Sequence, residues 1–413
     1  MFRTYRDVLS LPGARGFAAA GALARLPLSM LGIGLVLLVE STTGSYATAG
    51  AVAGVFGLTS AVASPLVSRA VDRFGQARVM LPAIALHVGG LILLLLCAQF
   101  DAPRWTVFAA AVIAGASIGS IGSLVRARWS FALAGHERES TLLHTAYSLE
   151  SVIDEVVFVS GPLLVTFLAT RLAPAYGIIT AALAVGIGGT LLMLQRSTEP
   201  PPSGLQHGPG AGVLRAPGMV VLCLAMVCVG VIFGSMEVLA VAFADERHHL
   251  DRAGWVLAGF ALGSLLAGLA YGSIQWQWPA GRRFRLGVVL LASGVVPLLF
   301  VQNLPQMAGV VFIAGFAISP MLISGNALVQ ELVDPTRLTE GLTWTVSGIG
   351  VGVSAGAAIS GAAVDAAGAQ RAFAVPVSAG VLAAVLVLLC SRWLRPVRPS
   401  HSAQATDPAD RPG

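Results

Sequence analysis

Long apolar runs separated by short polar segments recur along the whole 413-residue chain. A helix needs roughly 20 apolar residues to cross the hydrocarbon core of a membrane, and twelve runs approach that length. They lie at residues 16–40, 47–69, 78–99, 105–127, 145–168, 175–195, 217–243, 253–274, 286–303, 306–331, 340–364 and 371–393. Strands of a membrane β-barrel would instead be about ten residues of alternating pattern. The pattern therefore predicts an all-α membrane protein with twelve transmembrane helices.

Composition supports the same conclusion. Hydrophobic residues make up 56% of the chain and charged residues 11%, whereas a soluble globular protein carries about 25% charged residues. The four cysteines lie in or beside apolar runs without metal-ligand spacing, and no glycine-rich nucleotide loop stands between a strand and a helix pattern. We therefore expect no metal, no cofactor and no enzymatic activity.

All 25 basic residues are arginines, and their distribution predicts the orientation in the membrane. If the N-terminus is cytoplasmic, nineteen arginines lie in cytoplasmic segments and five lie outside. The five are Arg104, Arg171, Arg247, Arg252 and Arg371. Cytoplasmic loops of membrane proteins carry such an excess of basic residues, so both termini are predicted to be cytoplasmic. The net charge of +5 follows from this topology and gives no reason to expect nucleic-acid binding.

A segment rich in proline and glycine divides the apolar runs into two groups of six. The groups resemble each other, because five residues recur 204 positions later: Ala49, Gly50, Val52, Phe56 and Ser60. Chance similarity between helices rich in glycine and alanine is the alternative to a duplication. Two repeats joined by a mid-chain loop are the organisation of transporters that bind substrate between their halves. We predict an N-terminal six-helix bundle at 1–195, a flexible cytoplasmic linker at 196–216, a C-terminal bundle at 217–394 and a disordered tail at 395–413.

The loop after the second run, SRAVDRFGQAR, resembles the signature loop of the major facilitator superfamily. The family pattern is a glycine, three residues, Asp-Arg, any residue, a glycine and two basic residues. The residues that follow it are Asp72, Arg73, Gly75 and, just beyond, Arg78. The departures are Ser68 for the leading glycine and Gln76-Ala77 for the basic pair. The resemblance implies the twelve-helix fold of this family and a transport function.

The resemblance also implies a role for this loop. Asp72 would lie against the cytoplasmic start of the eleventh helix, where the positive end of the helix dipole favours an anion. It would then act as a latch that holds the cytoplasmic gate closed. Arg73 and Arg78 fit a gating role and a solvated turn that sets topology equally well.

The fifth predicted helix contains three carboxylates in an apolar run, Glu150, Asp154 and Glu155. At 1.5 Å per residue from an entry point near residue 144, Asp154 lies roughly 15 Å deep, close to the middle of a core about 30 Å thick. At 100° per residue, Tyr147, Glu150 and Asp154 share one stripe, whereas Glu155 points about a quarter turn away. Charged side chains at this depth are expected to face the bundle interior or a water-filled cavity.

The first predicted helix carries a cation at the same depth. Arg25 lies roughly 15 Å from the cytoplasmic face, so an ion pair with Asp154 or Glu155 is expected. Arg126 and Arg128, near the cytoplasmic end of the fourth helix, are candidates to reach Glu150.

At least one of the three acids is therefore expected to lack a cationic partner. An unpaired carboxylate inside the membrane can take up and release a proton in each transport cycle, with Asp154 the first candidate and Glu155 the second. One alternative is a fixed ion-pair network that holds the first, fourth and fifth helices together. Another is a binding site for a cationic substrate.

The second half of the chain offers fewer charges. Glu237 lies about 30 Å along the seventh helix and is a candidate to line the outward cavity or close the outer gate, or else a solvated residue near the helix end. Asn326 and Gln330 lie one turn apart in the tenth helix and are candidates for substrate binding or helix adhesion. Trp344 is either a cavity aromatic or a packing residue.

The Gly161-Pro162 pair resembles the core of a motif associated with antiporters of this superfamily, with Val157 in place of the upstream glycine. We therefore predict alternating access and proton-coupled efflux of a small lipophilic or amphiphilic compound, with proton-coupled uptake of a nutrient or metabolite as the alternative. The expected partners are a small-molecule substrate, protons and the lipid bilayer, and the expected state is a monomer. The lysine-free composition suggests a bacterium and hence its cell membrane.

Overall fold

The computed structural model describes residues 2–100, 102–136, 139–202, 213–272, 274, 276–333 and 338–394. The predicted tail, 395–413, and residues 203–212 of the predicted linker lie outside the described residues. A short helix, Phe2–Leu9, comes first and is absent from the sequence-based prediction.

Twelve helices among the described residues are long and apolar enough to cross a membrane, which confirms the predicted fold class. We number them in chain order. They are Ala14–Thr43, Tyr46–Phe74, Gln76–Gln99, Arg104–Ala116 with Ile121–Leu133, Glu139–Arg171, Pro174–Leu194, Pro217–Asp245, Ala253–Gly272, Ala280–Val295 with the 3-10 turn Val296–Phe300, Leu304–Gly315 with Ile318–Leu332, Leu338–Ala367, and Ala369–Ala372 with Ala374–Leu389. Most extend a few residues beyond the apolar runs, since helices continue into the polar boundary where water can satisfy their ends.

The fourth and tenth membrane helices are each interrupted near their middle, whereas a single continuous helix was predicted for both. In the fourth helix the break covers residues 117–120, without a proline. The hydroxyl of Ser117 donates to the carbonyl of Ile113 at 2.6 Å, and such back-bonding by serine bends helices. The break separates the piece Ile121–Leu133, which carries several of the charged and aromatic side chains described below.

The first six membrane helices, here called the first half, pack mainly on one another, and so do the last six, the second half. Contacts between the halves join the second helix to the eleventh, the fifth to the eighth and the first to the seventh. Two opposite ends of the bundle are named by their residues. The Ser45 end carries the turn between the first and second helices, and the Asp72 end carries the turn between the second and third.

Glycines bring the halves together near the Ser45 end. A Cβ atom added at Gly50 would collide with the backbone carbonyl of Ala357 in the eleventh helix, and one at Gly254 would collide with the carbonyl of Pro162 in the fifth. These two glycines are the repeat-related pair found 204 residues apart in the sequence. Each half therefore contributes an equivalent glycine at which helices of the opposite half approach backbone to backbone.

The halves separate toward the Asp72 end. In the second helix, Tyr46, Gly50 and Gly54 are buried, whereas no residue from Val55 to Ala70 is. The Asp154 carboxylate in the middle of the bundle is 25% exposed although it faces the largely buried first helix. Together with the backbone contacts at Gly50 and Gly54, these exposed positions indicate a structure that is closed at the Ser45 end and open toward the Asp72 end.

We predict that Gly352→Ala destabilises the protein, because a Cβ there would collide with the carbonyl of Val227 in the packed contact between the eleventh and seventh helices. Overpacking of this kind costs about 1–3 kcal/mol. The matched control is Gly309→Ala, since that glycine is exposed and a Cβ meets nothing within 4 Å. Thermal unfolding in detergent should show a lower midpoint for the first variant only, and equal midpoints would contradict the packing described here.

Candidate functional site

Arg25 lies at the centre of a cluster of charged side chains in the first half. It is 3% exposed, and all three of its nitrogens are used. Its Nε donates to the carbonyl of Gly21 at 3.0 Å, Nη1 donates to Asp154 Oδ1 at 2.7 Å, and Nη2 donates to Glu150 Oε2. A guanidinium has no neutral form available in proteins, so a buried arginine requires such acceptors. The predicted ion pair between Arg25 and Asp154 is present.

Glu150 is completely buried, with two partners from two other helices. Besides the contact with Arg25, its Oε1 accepts a hydrogen bond from Trp129 Nε1 at 2.7 Å. Trp129 is itself buried against Phe17, with ring centroids 4.5 Å apart. Sequence reasoning missed Trp129, although it lies three residues after Arg126 on the same helix face, and a buried tryptophan N–H normally requires a partner.

Asp154 connects two arginines. Its Oδ1 accepts from Arg25 and its Oδ2 accepts from Arg126 Nη2 at 2.8 Å. Arg126 is 35% exposed. Asp154 was the first candidate for an unpaired acid, and it is instead paired with two arginines, whereas Glu150 is paired with one.

Glu155 is the acid without a partner. Its side chain is partly buried, and it makes no hydrogen bond or ion pair with the described residues. Two arginines and two carboxylates neutralise one another in the cluster, and Glu155 is the additional negative charge. The quarter-turn offset predicted from the helical period explains why it does not share the arginines that Asp154 reaches.

Neither arginine of the fourth helix pairs with Glu150, so both expected pairings are wrong. Arg126 binds Asp154 instead, and Arg128 does not bind the carboxylates. Residues two apart on a helix point about 200° from each other, and Arg128 therefore faces away from the side occupied by Arg126. It is buried, and donates to Gln76 Oε1 at 2.8 Å, to the carbonyl of Gln195 at 2.7 Å and to Thr198 Oγ1 at 2.9 Å. This contact ties the fourth helix to the residues that follow the sixth.

The remaining predicted residues are dispersed. Tyr147 lies near the cluster, with its hydroxyl 2.8 Å from Ser130 Oγ. Glu237 lies against Gly32 of the first helix, where an added Cβ would collide with its carboxylate, and it has no hydrogen bond or ion pair among the described residues. Asn326, Gln330 and Trp344 are exposed side chains. The structure does not bring these three into hydrogen-bonding contact with the charged cluster.

The signature loop forms a sharp turn at Gly75. Its φ of +93° is a conformation that residues with side chains rarely adopt, and a Cβ would lie 3.3 Å from Glu199 Oε1. Asp72, Arg73 and Arg78 are exposed at this end. The residues before the eleventh helix, 334–337, lie outside the described residues, so the expected contact of Asp72 with that region is not described.

Gln76 explains one departure from the family pattern. It is buried, accepts from Arg128 and donates to the carbonyl of Leu124 at 3.3 Å. The anion at the start of the third helix is Glu199, which accepts from the backbone N–H of Ala77 at 2.9 Å. The first residues of the predicted linker are thus bound to the first half.

The profile of a family described as Major Facilitator Superfamily matches residues 17–282 and 222–411. The chain belongs to this superfamily. It is accordingly a multi-pass membrane transporter of small molecules, and the resemblance of the signature loop is confirmed at the level of the family.

Relatives and solved structures agree with this assignment. The multidrug efflux pump Tap of Mycobacterium tuberculosis and that of Mycobacterium bovis are each 27% identical over 408 residues, which cover 89% of this chain and 92% of Tap. The nucleoside transporter NupG has a similar structure with a TM-score of 0.72 at 14% identity, covering 92% of this chain and 98% of NupG. An auto-inhibited POT family peptide transporter has a similar structure with a TM-score of 0.71 at 12% identity, covering 94% of this chain and 98% of that transporter. At these identities the structural similarity shows the fold.

We predict that Arg25→Gln strongly destabilises the protein, because it leaves the fully buried Glu150 without a cation. Removing one member of a buried ion pair costs about 3–5 kcal/mol. The double variant Arg25→Gln/Glu150→Gln should recover part of that loss. Arg126→Gln is the matched control, since its partner Asp154 is partly exposed and keeps Arg25. Thermal unfolding midpoints measure all three, and equal losses for Arg25→Gln and Arg126→Gln would contradict the geometry.

Proposed function

We propose that the protein exports a small lipophilic or amphiphilic compound in exchange for protons, by alternating access. The observation that carries the proposal is the charge balance of the intramembrane cluster, in which Glu155 is left unpaired beside the Arg25–Glu150–Asp154–Arg126 network. A carboxylate at this depth is costly when ionised, and Glu155 is only partly buried. Protonation removes that cost, so its charge can be coupled to a conformational change.

The assignment of roles within the cluster follows from the pairing. Asp154 and Glu150 each have a firm contact with Arg25, and they hold the first, fourth and fifth helices together. In our proposal these two acids are structural, and Glu155 exchanges the proton. Glu237 is a second carboxylate without a partner among the described residues, and it lies between the halves against Gly32. We propose that it also exchanges a proton.

The shape of the bundle supports alternating access. The first and second halves meet near the Ser45 end and separate toward the Asp72 end, and closing one end while opening the other would expose the cluster to each side in turn. We propose that the two halves, residues 1–195 and 217–394, move as six-helix units. From the arginine distribution we propose that the Asp72 end faces the cytoplasm of a bacterial cell and that the protein acts as a monomer in the cell membrane.

Efflux is favoured by two observations. Tap, with which the chain shares 27% of residues, is named a multidrug efflux pump, and Gly161-Pro162 resembles the core of the antiporter motif. In the structure Gly161 packs against Ser29 of the first helix, and Pro162 meets Gly254 of the eighth. Pro162 thus lies at a contact between the halves, where a change of helix packing would alter access.

Uptake is the alternative. NupG is a nucleoside transporter and the other neighbour a peptide transporter, so the fold also serves compounds of those classes in related proteins. An unpaired carboxylate supports proton symport as well as antiport. The sign of the response to a pH gradient separates the two directions.

We predict that Glu155→Gln abolishes transport driven by a pH gradient but preserves exchange of substrate between the two sides at equal pH, because exchange needs no net proton movement. The measurement uses proteoliposomes, an imposed pH gradient and a panel of fluorescent lipophilic compounds. Asp251→Asn, which neutralises an exposed carboxylate outside the bundle interior, is the control. Full gradient dependence in Glu155→Gln and in Glu237→Gln would exclude proton coupling through these residues.

Asp72 of the signature loop is exposed. If it is the latch implied by the family, Asp72→Asn should slow transport. The variant should still insert and keep its unfolding midpoint, because an exposed carboxylate contributes little to folding. Initial transport rates in proteoliposomes are the measurement, again with Asp251→Asn for comparison. Unchanged rates would rule out the latch.

A further inference from the structure

Asp365, near the end of the eleventh helix, binds the start of the second helix across the two halves. Its Oδ1 accepts from the backbone N–H of Tyr46 at 2.9 Å, and its Oδ2 accepts from the N–H of Ala47 at 3.0 Å and from the Ser45 hydroxyl at 2.7 Å. Three donors of one half thus converge on a single carboxylate of the other.

These donors belong to a helix that does not complete its own cap. The first N–H groups of a helix have no partner within it. Ser45 Oγ accepts from the N–H of Thr48 at 3.1 Å, and the Ser45 carbonyl accepts from Ala49 at 3.1 Å. The N–H groups of Tyr46 and Ala47 remain, and Asp365 supplies both acceptors. Its negative charge also lies at the positive end of the helix dipole.

The rest of the contact at this end is apolar. Gly50 and Gly361 meet the backbones of Ala357 and Tyr46, and such contacts between small residues permit sliding. Among the described residues at the Ser45 end, four hydrogen bonds cross between the halves, and residues 45–47 donate all four. The fourth is donated by the Tyr46 hydroxyl to Asp245 of the seventh helix at 3.0 Å.

A like charge of the opposite half acts on this carboxylate. Glu40 of the first half lies within electrostatic range of two carboxylates of the second half, Asp245 and Asp365. This repulsion favours separation of the halves, whereas the hydrogen bonds from the second helix to Asp365 oppose it.

We propose that Asp365 is the positioning residue that fastens the second helix to the eleventh whenever the Ser45 end is closed, and that this cap is broken and remade in each transport cycle. The proposal rests on alternating access from the proposed function. It does not depend on the substrate, on the direction of transport or on proton coupling, because the hydrogen bonds of Asp365 lie at the closed end, away from the charged cluster.

The test measures the distance across the Ser45 end directly. Spin labels are placed at Thr42 in the first half and Arg371 in the second, both exposed, in a full-length background in which the four native cysteines are replaced by serine. Asp365→Ala is compared with Asp251→Ala, an exposed carboxylate at the same end. Distances are recorded by electron paramagnetic resonance in lipid nanodiscs without substrate.

Loss of a capping acceptor should shift the ratio of open to closed molecules about fivefold toward the open, longer distance. Asp251→Ala should leave the distribution unchanged. A distribution for Asp365→Ala identical to that of the parent would overturn the proposal, and so would a lower unfolding midpoint with no change in distance, which is the result of a merely structural role.

Asp365→Asn keeps the size of the side chain and one carbonyl oxygen, and serves as the second variant if Asp365→Ala does not fold. It should give an intermediate shift, because one oxygen accepts from only part of the donor set. An unshifted distribution for this variant counts against the proposal. If Glu155→Gln still responds fully to a pH gradient, proton coupling through Glu155 is excluded, but the expected distance change in Asp365→Ala is unaffected. The two proposals can therefore be refuted independently.

Discussion

The pairing of Arg25 is the constraint on which the first half of the structure depends. A permanently charged guanidinium in the middle of a membrane is tolerated only with acceptors around it. Those acceptors come from the fifth helix and from the carbonyl of Gly21, and the fourth helix adds Arg126 and Trp129 to the same carboxylates. Three helices are thereby held in one orientation. Because the pairing uses both acids that face Arg25, it also determines which carboxylate is left over.

Close contact between the halves depends on a different property, the absence of side chains. Gly50 and Gly254 occupy equivalent repeat positions and allow backbone carbonyls of the opposite half to approach within van der Waals distance. Contacts of this type contain few directional bonds, so they oppose sliding only weakly. The directional bonds at the Ser45 end are concentrated at the first turn of the second helix. The first half is thus held rigid by its charged cluster, whereas the interface between the halves has few directional bonds. This combination allows the halves to move as units.

Much of this could be predicted, and the reasons are specific. The twelve helices follow from apolar run length because the bilayer fixes the length of a spanning helix. The Arg25–Asp154 contact follows from equal depth, since both residues lie the same number of turns from one face. Counting turns failed where rotation mattered. Arg126 and Arg128 have nearly the same depth, yet only Arg126 faces the carboxylates, whereas Arg128 binds Gln76 and Thr198.

The membrane environment, the number of spanning helices and the depth of the buried charges follow from the sequence alone, because each depends on composition or on distance along a single helix. The tertiary fold was needed to show that Asp154 is doubly paired while Glu155 has no partner among the described residues, and that Asp365 caps a helix more than 300 residues earlier in the chain. Those outcomes depend on how helices are rotated against one another. The helical period gives the angle between side chains of one helix, whereas the rotation of a whole helix against its neighbours is set by packing among residues that are distant in sequence.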